Sequence, residues 1–272
     1  HCISSAASDV YKRQNYHIFL YSWIVIGFIS FPFILSYDAP YGRHTSSKWG
    51  PLVDNKIGWI VMELPALIVC PLLVLTSTNA VSDVTTFFIF LWIIHYFNRS
   101  VVFPLRIKTK KKKMPLLIAF LAFLFNIVNG LINGLYFSGV KFDYDYSWLS
   151  TPQFIVGIII FCTGFAINNM SDSYLISLRK GTDKGYVIPQ KGLFKYISCP
   201  NFFGEIVEWL GFAIMTWSPA GLAFFLWTFF NLVPRALSHH KWYKKTFKDY
   251  PSERKAVSVS YTHLRAHETE AD

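Results

Sequence analysis

Glu63 sits in the apolar run GWIVMELPAL, with Trp59 one helical turn before it and Pro65 two residues after it. A carboxyl group there is costly to bury, so it acts as an acid or base, or pairs with a neighbouring helix; Arg99 is the partner the sequence offers. Arg99 closes HYFNR, a segment that sets His95, Tyr96, Asn98 and Arg99 at the end of another apolar stretch. Tyr96 alone carries little weight, since tyrosines are common in interfacial belts. Three further segments present polar residues at helical spacing. Asn168, Asp172 and Arg179 fall at i, i+4 and i+11, while Asn201, Glu205 and Trp209 recur every four residues, as do Arg235, His239 and Tyr243. A salt-bridge lattice would explain one such face, but three at one level predict a polar cavity. Its mixture of cations, amides and carboxylates suits a phosphate-bearing ligand with a base or ribose. Neither GxGxxG nor GxxxxGK[ST] occurs, so helix side chains must hold any nucleotide. His239 and His240 are adjacent and point about 100° apart on a helix, a poor metal pair. With no HExxH motif or histidine box, no metal is expected.

The elements that must position these groups are membrane spans. The chain has 272 residues, 53% apolar, 18% aromatic and 15% charged, against roughly a quarter charged in soluble domains. Disorder, collagen and coiled coil are excluded by the aromatic content and the lack of heptads. Cys2, Cys70, Cys162 and Cys199 show no CxxC spacing, so neither a disulfide framework nor a zinc site is indicated. Apolar stretches at about 18–37, 57–79, 84–105, 115–138 and 152–175 each supply a span, and 202–238 supplies two if Ser218-Pro219 divides it. The predicted fold is an all-α polytopic integral membrane protein with seven transmembrane helices. Asn126, Asn129 and Asn133, with Gly130 and Gly134, form a stripe in the fourth span explained by interhelical hydrogen bonding and close packing.

The formal net charge of +10 is lopsided. Nearly all Lys and Arg of the body fall in loops on one side, with Lys141 alone on the other, which predicts an N-terminus outside and a C-terminus in the cytosol. The run Lys110 to Lys113 reads first as a topogenic anchor, ahead of an anionic-lipid or substrate role. Nucleic-acid binding is not expected, because no recognition fold accompanies the charge. Residues 1–14 and 257–272 differ in character from the body and look non-native, leaving 15–256 as a single domain.

Taken together, the motifs resemble those of the steroid 5α-reductases (3-oxo-5α-steroid 4-dehydrogenases). The similarity covers about Tyr41 to Ala256. It runs through YGRHT (Tyr41–Thr45), W-x-x-M-E-L-P (Trp59–Pro65), HYF-N-R (His95–Arg99) and Asn168 to Arg179. It continues in Y-x-I-P-Q-x-G-L-F (Tyr186–Phe194), N-F-x-G-E-I-x-E-W-x-G (Asn201–Gly211), R-A-x-x-H-H (Arg235–His240) and DYP-x-x-R-K-A (Asp249–Ala256). The resemblance implies a seven-span reductase taking NADPH from the cytosol and a 3-oxo-Δ4-steroid from the lipid. The steroid slot would come mainly from the N-terminal helices and the NADPH site mainly from 165–250. Glu63 and Tyr96 would hydrogen-bond the C3 carbonyl, and Trp59 and Met62 would line the slot. Tyr41, Arg43, Asn168, Asp172, Arg179, Tyr186, Asn201, Glu205, Arg235, His239 and Tyr243 would hold NADPH.

The implied chemistry has a physical logic. Hydride reaches C5 of the conjugated enone only if charge can build on the C3 oxygen, and a protonated Glu63 with the Tyr96 hydroxyl would serve as an oxyanion hole. Apolar Ile60, Val61 and Leu64 suit the neutral acid the role needs. Met62 departs from the Gln found beside the acid in several members. A monomer is expected, in the bacterial inner membrane or the endoplasmic reticulum membrane according to source, and the flanks suggest a bacterial one. Competing readings are a trans-2-enoyl-CoA or polyprenol reductase, an isoprenylcysteine-type methyltransferase and a transporter, although no inverted repeat is visible.

Overall fold

The computed structural model describes residues 2–37, 45, 47–107, 112–140, 144–179 and 186–257. Seven long helices follow from the caps and breakers between the apolar runs. Helix α1 (Cys2–Ser36) starts well before the expected residue 18. No Gly or Pro occurs before Gly27, so nothing stops the helix from extending back through the Ser/Ala-rich residues. Helix α2 (Asn55–Leu75) begins at Asp54, whose carboxylate accepts the backbone N–H of Lys56 at 2.8 Å and of Ile57 at 3.3 Å. Helix α3 (Asp83–Arg106) is capped by the Ser82 hydroxyl and contains a π-helical turn at Asn98–Val102. Helix α4 (Leu116–Leu135) passes into a second π turn, Tyr136–Val140.

Helices α5 (Pro152–Leu178), α6 (Pro200–Thr216) and α7 (Pro219–Thr246) each carry Pro in the first turn, where its missing N–H has no helical partner to lose. Ser218 caps α7 by accepting the Gly221 N–H at 2.9 Å, and Trp217 turns left-handed at φ 44°. The last apolar block therefore divides where Ser218-Pro219 predicts. Among the described residues, six helices are long and apolar enough to cross a membrane; α6, with 17 residues, is the shorter seventh. Apart from a short antiparallel pair, β1 (Leu52–Asp54) with β2 (Lys113–Pro115), the described architecture is helical. The pair ties the segment before α2 to the segment before α4, with Val53 opposite Met114.

Two helix pairs carry the packing that matters for the site. Between α5 and α6, glycines meet backbone: a Cβ on Gly164 would strike the Glu208 nitrogen, and one on Gly204 would lie 2.5 Å from the Asn168 nitrogen. Gly157 and Gly211 face Met215 and Phe161 backbone in the same way. Between α2 and α4, Gly130 faces Val69 and Gly134 faces Leu73, with added Cβ atoms 2.9 and 2.8 Å from side-chain carbons. Trp92, Trp209, Phe88 and Phe212 form the fully buried aromatic centre where α3, α6 and α7 converge. The outside is apolar too: Phe28, Phe33, Leu72, Leu75, Leu105, Phe120 and Ile159 are exposed. Such a surface suits lipid as solvent, and the chain is an all-α integral membrane protein.

Candidate active site

The site is built from two neighbouring groups of side chains joined at Arg99. The first group lies on α2. Pro65 withholds the N–H that would bond the Val61 carbonyl and so loosens the helix beside Glu63. From α4, the Asn126 Nδ2 donates to the Met62 carbonyl at 2.6 Å and to Glu63 Oε2 at 3.4 Å. Glu63 is half-buried, while Met62 and Asn126 are buried. The Trp59 indole N–H donates to the Arg99 carbonyl at 3.1 Å, and the Arg99 guanidinium lies 5.1 Å from the Trp59 ring centre and 5.0 Å from that of Phe103. Arg99 belongs to the π turn of α3, where the shifted hydrogen-bond ladder leaves its carbonyl open to a side-chain donor.

The second group lies on α5 and α6. Asp172 uses both carboxylate oxygens: Oδ2 accepts Arg99 Nη1 at 3.3 Å and Oδ1 accepts Asn201 Nδ2 at 3.0 Å. Asn168 Nδ2 donates to the Asn201 carbonyl at 3.0 Å and to Glu205 Oε2 at 3.3 Å. Glu205 also stands 3.7 Å from Arg99 Nη2. Asn168, Asp172, Asn201 and Glu205, expected on separate helical faces, therefore form one bonded cluster around Arg99. Arg99 does not take the ion-pair role with Glu63 that the sequence offered, because Asp172 and Glu205 reach it from α5 and α6.

Tyr96 is buried against Trp92 at 5.0 Å and Trp209 at 5.9 Å between ring centres. Beside it, His95 Nδ1 contacts Glu208 Oε1 at 2.7 Å, with both side chains fully buried. At the outer end of the cluster, Tyr186 lies between two cations. Lys112 Nζ donates to its hydroxyl at 2.6 Å, and the Arg179 guanidinium is 6.0 Å from its ring centre. Trp242 of α7 packs edge-on against the same ring at 5.0 Å. Arg235, His239 and Tyr243 also lie on α7. His239 stacks on Phe202 of α6, and Tyr243 is buried in a stack with Tyr250 and Phe247. Tyr41 and Arg43 lie outside the described residues.

Residues beyond the sequence expectations hold this frame. Arg254 is buried; its Nη1 donates to the Pro189 carbonyl at 2.9 Å and its Nη2 to Gln190 Oε1 at 2.7 Å, which pins the segment after Tyr186. Glu208 and Arg254 were visible within E-I-x-E-W and P-x-x-R-K-A, but nothing in the sequence says what they touch. Lys112, from the run read as an anchor, is also part of the site's rim. The donor set fits a dinucleotide. Amides and carboxylates can exchange hydrogen bonds with hydroxyls and a carboxamide, and Arg179 and Lys112 bring positive charge for phosphate. Among the described residues, no group of three or more His, Cys, Asp or Glu is arranged to hold a metal.

Comparison with known proteins identifies the family. The family model described as 3-oxo-5-alpha-steroid 4-dehydrogenase matches residues 112–259. The steroid 5-alpha-reductase of Arabidopsis thaliana is 46% identical over 227 residues, covering 81% of this chain and 86% of the relative. The 3-oxo-5-alpha-steroid 4-dehydrogenase 1 of Bos taurus is 39% identical over 237 residues, covering 85% and 91%. That of Homo sapiens is 37% identical over 223 residues, covering 81% and 85%. With a family-model match over residues 112–259 and relatives 37–46% identical over more than four fifths of the chain, this chain belongs to the steroid 5-alpha-reductase family of membrane oxidoreductases.

Proposed function

We propose that the protein reduces the C4–C5 double bond of 3-oxo-Δ4-steroids, of the testosterone or progesterone type, to 5α-dihydrosteroids with NADPH. The observation that carries the reading is the Arg99 joint: one guanidinium touches Trp59 of the acid-bearing helix and the Asp172–Glu205 cluster. A redox partner and an acceptor must lie within reach of each other, and this joint sets two half-sites side by side.

NADPH would supply hydride to C5 of the enone, and a proton taken up at C4 from water would complete the saturation. The residues of the chain bind, orient and polarise. Glu63 carries a proton and, with the Tyr96 hydroxyl, donates to the C3 oxygen, so that negative charge building there meets fixed donors in a dry site. Trp59 and Met62 line the steroid slot. Asn168, Asp172, Asn201, Glu205, Arg179, Tyr186, Arg235, His239 and Tyr243, with Tyr41 and Arg43, would hold NADPH. A phosphate on the adenosine ribose suits the cationic rim at Arg179, which favours NADPH over NADH.

All seven helices of the domain 15–256 cross the bilayer, with the N-terminus outside and the C-terminus in the cytosol. Helix α6 has 17 residues and at 1.5 Å per residue extends about 25 Å, near the thickness of the hydrocarbon core. The side rich in Lys and Arg faces the cytosol, where NADPH is found, and the steroid enters as a monomeric enzyme's lipid-soluble substrate from the bilayer.

The test is direct: incubate the purified protein with NADPH and testosterone or progesterone and resolve the product by mass spectrometry. The reading predicts a gain of two hydrogens. No gain, beside robust turnover of an enoyl-CoA, would overturn it.

A further inference from the structure

Asn126 belongs to the asparagine stripe of α4 that the sequence explains as packing. The stripe does pack. Asn129 Oδ1 accepts the Trp23 indole N–H at 3.2 Å, and Asn133 Nδ2 donates within its own helix to the Asn129 carbonyl. Asn126 differs, because its amide leaves its own helix for the residues around the acid. Its nitrogen stands 2.6 Å from the Met62 carbonyl and 3.4 Å from Glu63 Oε2. The orientation of the amide follows from chemistry: a backbone carbonyl only accepts, so the atom facing it must be nitrogen. That nitrogen has two hydrogens and two acceptors.

The reach is set by the helix pair. Gly130 and Gly134 lie one and two turns after Asn126 on the same face, and their bare Cα atoms let α4 close on Val69, Cys70 and Leu73 of α2. Only at that separation can a side chain as short as Asn touch the α2 backbone. Asn126 is itself buried, 6% exposed, so both hydrogen bonds are shielded from water.

We propose that Asn126 is a positioning residue that decides which oxygen of Glu63 carries the acid proton. Asn126 donates to Oε2, and the carbonyl oxygen of a neutral carboxyl is a better acceptor than its hydroxyl oxygen, so this bond favours the proton on Oε1. Oε1 is then the oxygen that serves the steroid C3 carbonyl. Without the amide, the proton is free to sit on either oxygen and the carboxyl is free to turn, so the donor is no longer fixed before charge develops. This inference rests on the reading of Glu63 as a proton-bearing donor.

The experiment compares full-length Asn126→Leu, Asn126→Asp and Glu63→Ala proteins with the parent, each with NADPH and testosterone. Leu keeps the volume and removes both hydrogens. Asp keeps the shape and, as an acid, offers one hydrogen, which the nearer Met62 carbonyl takes. Both Asn126 variants should lose about 10- to 100-fold in kcat, the scale of one buried hydrogen bond that aligns the donor, while NADPH affinity stays unchanged. In infrared difference spectra, the protonated-carboxyl band that disappears in Glu63→Ala should move to higher wavenumber in Asn126→Leu, because its C=O loses a donor. A purely structural role would leave that band in place. Unchanged kcat and an unmoved band in a variant that still binds NADPH would overturn the proposal while Glu63→Ala remains inactive. If Glu63→Ala turned over normally, the role of Glu63 would fall, and the assignment of Asn126 with it.

Discussion

The α5–α6 and α2–α4 pairs both rely on glycine, but they use it differently. Between α5 and α6, glycine meets backbone: Gly164 lies on the Glu208 nitrogen and Gly204 on the Asn168 nitrogen. Nothing at that seam can turn aside. Between α2 and α4, an added Cβ on Gly130 or Gly134 meets Val69 or Leu73 side-chain carbons at 2.9 or 2.8 Å first and Cys70 backbone only at 3.4 or 3.1 Å, so this seam is less tight. The glycines of α5 and α6 therefore set the register of Asn168, Asp172, Asn201 and Glu205, whose hydrogen bonds span the same seam. The acid half, with Trp59, Met62 and Glu63, rests on the looser of the two seams.

The largest expected effect breaks this contrast at its stiffer side. Gly204→Val should yield no folded protein, because a branched side chain has only the α5 backbone to push against. Gly130→Ala should fold and cost about 1–3 kcal/mol, as modest overpacking does when a helix shifts by tenths of an ångström off Val69. Fluorescence-detected size exclusion and thermal unfolding read both outcomes. A Gly204→Val protein as stable as Gly130→Ala would remove the distinction between the seams.

A smaller effect tests the joint. Arg99→Met strands Asp172 and Glu205 without their cation and should cost about 3–5 kcal/mol, the usual penalty for breaking a buried pair. Melting temperature with and without NADPH measures it, and the shift given by the cofactor should shrink in the variant. An undiminished shift would show that Arg99 is not needed to assemble the cluster.

The sequence makes part of this legible, for physical reasons. Helical spacing alone brings Asn168 and Asp172 to one face and Asn201 and Glu205 to another, and Ser218-Pro219 announces a break because Pro starts α7 beneath a Ser cap. Partner choice is different. Glu63 and Arg99 look like a pair because they are complementary charges in apolar runs, yet Asp172 and Glu205 take Arg99. Which carboxylate reaches a cation depends on how helices cross, and that is decided by backbone contacts at glycines such as Gly204, which helical spacing alone does not reveal. The π turn that opens the Arg99 carbonyl to Trp59 has no local sequence signal, and neither does the placement of Lys112 on Tyr186. Within the stripe of asparagines, Asn129 bonds to Trp23 of α1 while Asn133 bonds within its own helix. At Asn126 the stripe does something more, visible only once α4 lies against α2.

The central claim is that acid and cofactor are handled by separate half-sites that meet at Arg99. NADPH titration of Glu63→Ala, followed in the same preparation by steroid turnover, tests it most directly. The account predicts cofactor affinity equal to that of the parent and a loss of turnover on the order of 100-fold or more, the scale of a missing oxyanion donor. Loss of NADPH binding together with turnover, or turnover that survives, would contradict it.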